Sequence, residues 1–162
     1  AGGEGRNAVW FSEQGWQSEN IDWSKKALSK SLKLAEERGV ADLHFAHIAD
    51  ATGFESVLTP VDIGVVAYLQ VPQQDLADAL DTLVDNVRPG GHILGVWHAL
   101  ENLADGYGGP RDEAVLPSVA SLTEICADLP VEIEVLTNRD GQVQTKDGLK
   151  PSITVVLLAR RL

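Results

Sequence analysis

The sequence predicts a doubly wound α/β domain, and two observations carry that reading. Apolar runs of strand length, above all Val61–Leu69 and His92–Trp97, alternate with amphipathic stretches of helix length. The 162 residues also open on Ala1-Gly2-Gly3-Glu4-Gly5-Arg6-Asn7-Ala8, a glycine run that leads at once into an apolar helical pattern. Glycines before a helix N-terminus let the backbone approach a ligand closely and aim unpaired N–H groups at it. Asp22 follows at the distance of about twenty residues at which an acid takes ribose hydroxyls.

The elements follow in order. Asn7 to Gln14 reads as a short helix with Ala8 and Phe11 toward a sheet, stopped by Gly15. Trp16 to Asp22 is a strand by position, although Gln17, Ser18, Glu19 and Asn20 are polar. A strand of that kind is expected at an edge or where water reaches. Ser24 caps a helix to about Arg38, with Leu28, Leu32 and Ala35 as its apolar stripe and Lys25, Lys26, Lys30 and Lys33 facing water. Leu43 to Ala49 is the next strand and ends at Asp50-Ala51-Thr52-Gly53. Its His44 and His47 fall on opposite faces, so they do not pair as metal ligands and read as structural.

Val61 to Leu69 is a near-continuous apolar run, as in a buried parallel strand, and ends before Pro72. Gln73 to Val87 is a helix with Leu76, Leu80, Leu83, Val84 and Val87 on one side. Arg88-Pro89-Gly90-Gly91 reads as a tight turn, and His92 to Trp97 as a buried strand. Leu100 to Pro117 is a long glycine-containing segment, of the kind that serves as a lid or binding loop. Ser118 to Leu129 is a helix that places Cys126 in the core. Val131 to Leu136 and Ile153 to Ala159 form an antiparallel pair joined by a polar loop, since no crossover helix separates them. The sheet is thus expected to be mostly parallel, within a single domain spanning residues 1–162.

Composition narrows the function. A net charge of −11 argues against a nucleic-acid surface, where phosphates would be repelled. One cysteine excludes an internal disulfide and a thiolate metal site, and no metal is expected. No apolar run is long enough to span a membrane, and no signal peptide is recognisable, so a cytoplasmic protein is expected.

The C-terminal ends of the strands gather the candidate chemistry. Gly3 and Gly5 offer backbone N–H groups, Asp22 suits ribose hydroxyls, and Asp50 suits an adenine amino group. Gly3-Glu4-Gly5-Arg6-Asn7-Ala8 also satisfies the dinucleotide pattern G-x-G-x-x-A, so an NAD(P)-dependent reductase is an alternative. Asp50-Ala51, the Pro89-Gly90-Gly91 turn and the closing strand pair do not belong to the usual NAD domain.

Together Ala1 to Ala8, Ile21-Asp22-Trp23-Ser24, Ala49-Asp50-Ala51-Thr52, Val61-Asp62-Ile63, Arg88-Pro89-Gly90-Gly91 and Leu158-Ala159-Arg160-Arg161 carry a resemblance over nearly the whole chain. The chain resembles class I S-adenosylmethionine-dependent methyltransferases, in their tellurite-resistance/thiopurine-like branch. The resemblance implies a Rossmann-like fold, S-adenosyl-L-methionine as cofactor, and a small-molecule acceptor. It implies that Ala1, Gly2, Gly3 and Gly5 cradle the methionine portion and ribose. It also implies that Asp22 with Trp23 holds the ribose, that Asp50 with Ala51 holds the adenine, and that Ala67 and Tyr68 line the ligand near the sulfonium. The family's first strand, which precedes the glycine loop at the centre of the sheet, has no counterpart here. The chain is therefore read as N-terminally truncated.

Methyl transfer by in-line displacement needs proximity, alignment and exclusion of water. His98, just past a strand end, is the candidate base. Arg6, Asn102 and Tyr107 are candidate acceptor contacts. The non-enzymatic alternative is a methyltransferase-derived domain that folds without binding the cofactor. Loss of a central strand would also expose apolar edges, so a homo-oligomer is expected.

Overall fold

The computed structural model describes residues 1–162. The elements are α1 (Arg6–Glu13), β1 (Ser18–Asp22), α2 (Lys25–Glu37), β2 (His44–Ile48), β3 (Val61–Ala67), α3 (Gln73–Asn86), β4 (Val87–His98), α4 (Asn102–Asp105), α5 (Val119–Ala127), β5 (Val131–Thr145) and β6 (Gly148–Arg161). The strands do not form the mostly parallel sheet expected. Parallel β1 and β2 stand as a two-stranded sheet, and a mixed sheet has the order β3-β4-β6-β5. In the latter, β3–β4 is parallel, whereas β4–β6 and β6–β5 are antiparallel. Each of β1 and β3 is hydrogen-bonded along one side only, and the two do not pair with each other.

The core lies on the four-stranded sheet. Leu76, Leu80 and Val84 of α3 and Leu122, Ile125 and Cys126 of α5 close over Val66, Ile93, Trp97, Val155, Leu157 and Ala159. The spacing of these helix residues, three or four apart, makes one apolar stripe on each helix. Cys126 is a core residue, and burial raises its thiol pKa.

Four local expectations change. The polar loop expected after Leu136 is instead strand: β5 and β6 pair from Val131↔Arg161 out to Thr145↔Gly148, leaving Lys146 and Asp147 as the turn. Gly148, at φ 97°, supplies the left-handed residue such a turn needs. The turn expected at Arg88–Gly91 is absorbed into β4 as a bulge, because Val87 pairs with Val61 while the next pair is Ile63 with His92. The Leu100–Pro117 segment contains α4 and a short 3-10 turn at Glu113–Val115. In α2 the buried stripe is Leu28, Ser31 and Ala35, and Leu32 is exposed.

Ser31 replaces Leu32 in that stripe because a polar partner waits beneath it. The Ser31 hydroxyl lies 2.7 Å from His44 Nε2, and the Ser18 hydroxyl lies 2.8 Å from His44 Nδ1. Ser12 extends the chain by 2.8 Å to the Ser18 hydroxyl. Ser12, Ser18, Ser31 and His44 are all buried. The polar strand β1 is therefore an edge strand, as expected, but its polar side chains face protein rather than water. In α1, Val9 and Ser12 are buried, while Ala8 and Phe11 are only half-covered.

Burial holds the His44 pKa below its ordinary 6.5. Below that pH the unfolded chain takes up the proton first. This site's contribution is therefore full above pH 6.5 and declines as the pH falls. Between about pH 7.5 and about pH 5.5, urea stability should drop more for the parent than for His44→Gln. At the higher pH the substitution itself should cost about 1–3 kcal/mol, from hydroxyls left poorly paired.

Candidate functional site

The glycine loop is bound to the end of β1 by three hydrogen bonds, and Asp22 ties the start of α2 to the same point by a fourth. Gly2 N–H donates to the Ile21 carbonyl at 2.8 Å, and the Asn20 side-chain amide donates to the Gly3 carbonyl at 3.0 Å. Gly3 N–H donates to one oxygen of the Asp22 carboxylate at 2.9 Å, and Ser24 N–H donates to the other at 2.9 Å. Glycine is required by space as well as by conformation. A Cβ on Gly2 would lie 1.7 Å from Asn20 Oδ1. A Cβ on Gly5, which has φ 77°, would lie 1.9 Å from Ser31 Oγ. The loop thus lies directly on β1 and α2, and its path is fixed before any ligand arrives.

Beside this loop, at the C-terminal ends of β1 and β2, is a cavity of about 350 Å³. Ala1, Asp22, Trp23, Asp50 and Ala51 line it together, as the sequence predicts, joined by Thr52, Leu69, Val71 and Asp75. The volume is in the range of small-ligand pockets. Three carboxylates give it a strong preference for hydrogen-bond donors. Asp22 is buried, whereas Asp50 is open to solvent. The Asp50 carboxylate accepts from Thr52 N–H at 2.9 Å and from the Thr52 hydroxyl at 2.8 Å, and these bonds lower its pKa. Trp23 is 83% exposed, so its indole forms an open wall of the cavity.

The remaining predicted residues separate. Ala67 and Gly2 line a different, larger cavity between β1 and β3, while Gly3 and Gly5 shape the loop without lining either cavity. Tyr68 and His98 meet each other, with ring centroids 4.9 Å apart. Tyr68 has φ 59°, a strained left-handed conformation for a bulky residue, and its N–H donates to the Val96 carbonyl at 2.7 Å. Burial lowers the His98 pKa, and His98 Nδ1 is buried without a hydrogen-bond partner.

Asn102 does not reach a ligand cavity. It is buried, its side-chain amide donates to the Gly108 carbonyl at 2.8 Å, and its oxygen accepts from Ile153 N–H at 2.7 Å. It braces the loop against β6. Tyr107 is half exposed on that loop, with the Lys150 ammonium 5.7 Å from its ring centre. Arg6 is exposed on the first turn of α1 and lines neither cavity.

Sequence reasoning missed Thr52, Asp75 and Gln70. Thr52 sits two residues after Asp50, the spacing of an Asx-type turn, and that signal was readable. Asp75 is in the first turn of α3, where an acid is also expected for the helix dipole. The Gln70 side chain accepts from His98 N–H at 2.7 Å and donates to the Val115 carbonyl, and no local pattern announces it.

No protein-family model matches the sequence, and no curated protein matches it. Solved structures do match. An S-adenosylmethionine-dependent methyltransferase from Methanosarcina mazei aligns with a TM-score of 0.77 at 15% identity, covering 100% of this chain and 90% of that one. Magnesium protoporphyrin IX methyltransferase from Synechocystis PCC 6803, solved with bound S-adenosylhomocysteine, aligns with a TM-score of 0.72 at 15% identity, covering 99% and 71%. TehB from Haemophilus influenzae aligns with a TM-score of 0.76 at 15% identity, covering 99% and 55%. The chain has the α/β fold of the class I S-adenosylmethionine-dependent methyltransferases.

The Asp22 clamp is directly testable. Asp22→Ala frees two backbone N–H groups and should cost about 1–3 kcal/mol of stability. Amide exchange at Gly3 and Ser24 should speed up by about tenfold or more, measured by NMR, while exchange in α5 changes only with global stability.

Proposed function

We propose that this chain binds S-adenosyl-L-methionine and transfers its methyl group to a small-molecule acceptor. The observation that carries the reading is the convergence of Asp22 and Asp50 on one cavity beside a fixed glycine loop. The residues suit the cofactor's adenosine half. Each Asp22 oxygen accepts one backbone N–H and keeps a second acceptor position for ribose hydroxyls. Thr52 holds the Asp50 carboxylate ionised and oriented toward an adenine amino group. Leu69 and Val71 give the base an apolar floor, and Trp23 offers it an open aromatic face.

When bound, the cofactor supplies an electrophilic methyl on a sulfonium. The chain's part is alignment and water exclusion, together with acceptance of a proton where the acceptor carries one. His98 is our candidate for that acceptance. Its lowered pKa keeps the imidazole neutral at neutral pH, and Tyr68 fixes the ring. The long loop carrying Tyr107 supplies the acceptor side, and Arg6 is kept as a contact for an anionic acceptor. The charge of −11 favours a small molecule over nucleic acid as acceptor. Membership of the tellurite-resistance/thiopurine-like branch is part of the proposal, supported by the likeness to TehB. So is a cytoplasmic location; no helix is long and apolar enough to cross a membrane.

A second reading is a methyltransferase-fold domain without cofactor binding. The unpaired inner edges of β1 and β3 favour it, because among the strands the glycine loop is hydrogen-bonded only to β1.

Calorimetric titration with S-adenosylhomocysteine, with NADH as control, separates these readings. The proposal expects micromolar binding of the former only. Asp22→Ala and Asp50→Ala should each weaken it by about tenfold or more, whereas His98→Ala should leave it within about twofold. Absence of binding selects the second reading, and binding of NADH alone selects the reductase.

A further inference from the structure

Gln70 lies on the segment that leads from β3 to α3, and its neighbours in the chain belong to the ligand cavity: Leu69 and Val71 both line it. The alternate residues, Tyr68 and Gln70, meet His98 instead. The β3–β4 ladder reaches this segment, since Ala67 pairs with Val96 and Tyr68 N–H donates to the Val96 carbonyl at 2.7 Å. One further step of a parallel ladder would give His98 N–H the Tyr68 carbonyl. Tyr68 ends the ladder there, because at φ 59° its backbone leaves the extended course of the strand. The Gln70 side-chain oxygen takes that place and accepts from His98 N–H at 2.7 Å. Nε2 of the same amide donates to the Val115 carbonyl of the long loop at 2.6 Å. That loop also covers the imidazole. A Cβ on Gly109 would lie 2.6 Å from the His98 ring carbons, and the Tyr68 ring lies 4.9 Å away, centre to centre.

We propose that Gln70 is a positioning residue: it keeps His98 and the Val115 end of the loop in register with the cavity wall formed by Leu69 and Val71. The inference rests on the proposed function, in which that cavity takes the adenosine half of the cofactor and His98 accepts a proton. A base works only within hydrogen-bond reach of its proton, and a misplacement of about 1 Å costs about a hundredfold in rate. His98 is the last residue of β4. Strand β6 holds it on one side, where it pairs with Thr154, and the Gln70 amide holds its N–H on the other. An amide is what this position calls for, because the bond to His98 needs an acceptor and the bond to Val115 needs a donor. A carboxylate would serve His98 N–H but repel the Val115 carbonyl. A ligand seated on Leu69 and Val71 therefore acts on His98 and on the loop through the one side chain between them.

The first arm of the test needs no ligand and compares Gln70→Ala and Gln70→Glu with the parent by NMR-detected amide exchange. Gln70→Ala should speed exchange at His98 by about tenfold or more beyond any change in α5. Gln70→Glu keeps the acceptor oxygen, so exchange at His98 should stay within about twofold of the parent, while exchange at Val115 and Leu116 speeds up by about fivefold or more. Gln70→Met, which fills similar space without either bond, replaces Gln70→Ala where that variant does not fold. In the second arm S-adenosylhomocysteine is added. In the parent, the amides of Thr52 and Val71 should shift together with those of His98 and Val115. In Gln70→Ala the Kd should stay within about threefold and the Thr52 and Val71 shifts should persist, while those at His98 and Val115 fall to about a fifth or less. Unchanged exchange at His98 in Gln70→Ala would overturn the inference, as would ligand shifts at His98 and Val115 that survive that substitution. Equal effects of the Ala and Glu variants at His98 would reduce Gln70 to packing and overturn it as well. If the parent does not bind S-adenosylhomocysteine, the proposed function fails, and the exchange arm by itself decides the role of Gln70.

Discussion

The Asp22 carboxylate is the point on which the site depends. One oxygen holds Gly3 N–H and the other holds Ser24 N–H. The first bond fixes the glycine loop, and the second fixes the entry to α2. A single side chain therefore sets the distance between the loop and the helix that Gly5 and Ser31 then close by direct contact. Charge-assisted bonds from backbone N–H groups are among the stronger hydrogen bonds, and here they stand in place of a continuous sheet beneath the loop. The acid proposed to hold the ribose is thus also the structural acid. Any substitution there changes the shape of the loop together with its chemistry.

How much was legible follows from where the information resided. The strands β3 and β4 and the helix α3 were readable because Val61–Leu69 and Leu76, Leu80 and Val84 follow simple periods set by burial on the larger sheet. The convergence of Asp22 and Asp50 was readable because strand ends in α/β sheets meet at one edge. The β5–β6 arm was not, since Gln142, Val143 and Gln144 look like loop residues until a partner strand is present. The polar strand β1 was placed at an edge as observed, but the surroundings of its side chains were not legible. Its serine and asparagine are buried against His44 and Gly3, and only the tertiary partner reveals that. Asn102 failed for a related reason: a buried asparagine in a long loop signals a brace as readily as a ligand contact, and the choice rests on Ile153, about fifty residues away.

Neighbouring solved structures and local geometry answer different questions. The fold matches cover essentially the whole chain, yet their identities near 15% transmit topology rather than chemistry. The chemistry rests on residues that can be substituted one at a time. Three carboxylates line one cavity, and a desolvated histidine lies against a strained tyrosine outside it. That separation has a consequence. Under the proposed function, cofactor affinity falls to Asp50 and proton acceptance to His98, so substitutions at the two act on different observables.

The break between the sheets does not leave two independent halves. Glu19 of β1 reaches across to accept from the Ser56 hydroxyl and from Val57 N–H, the latter at 3.1 Å. Asn86 at the end of α3 accepts from Ser56 N–H at 2.8 Å and donates to the Phe54 carbonyl at 3.3 Å. The segment around Ser56 is therefore a strap tied to β1 at one end and to α3 at the other. Thr82 of α3 adds a bond to the Thr52 carbonyl at 3.0 Å, which connects the strap to the turn that holds Asp50. The Glu19 side chain is only 5% exposed, so its bonds form in a low-dielectric setting where losing them is costly. The strap thus ties β1 to α3, the helix that packs on the larger sheet.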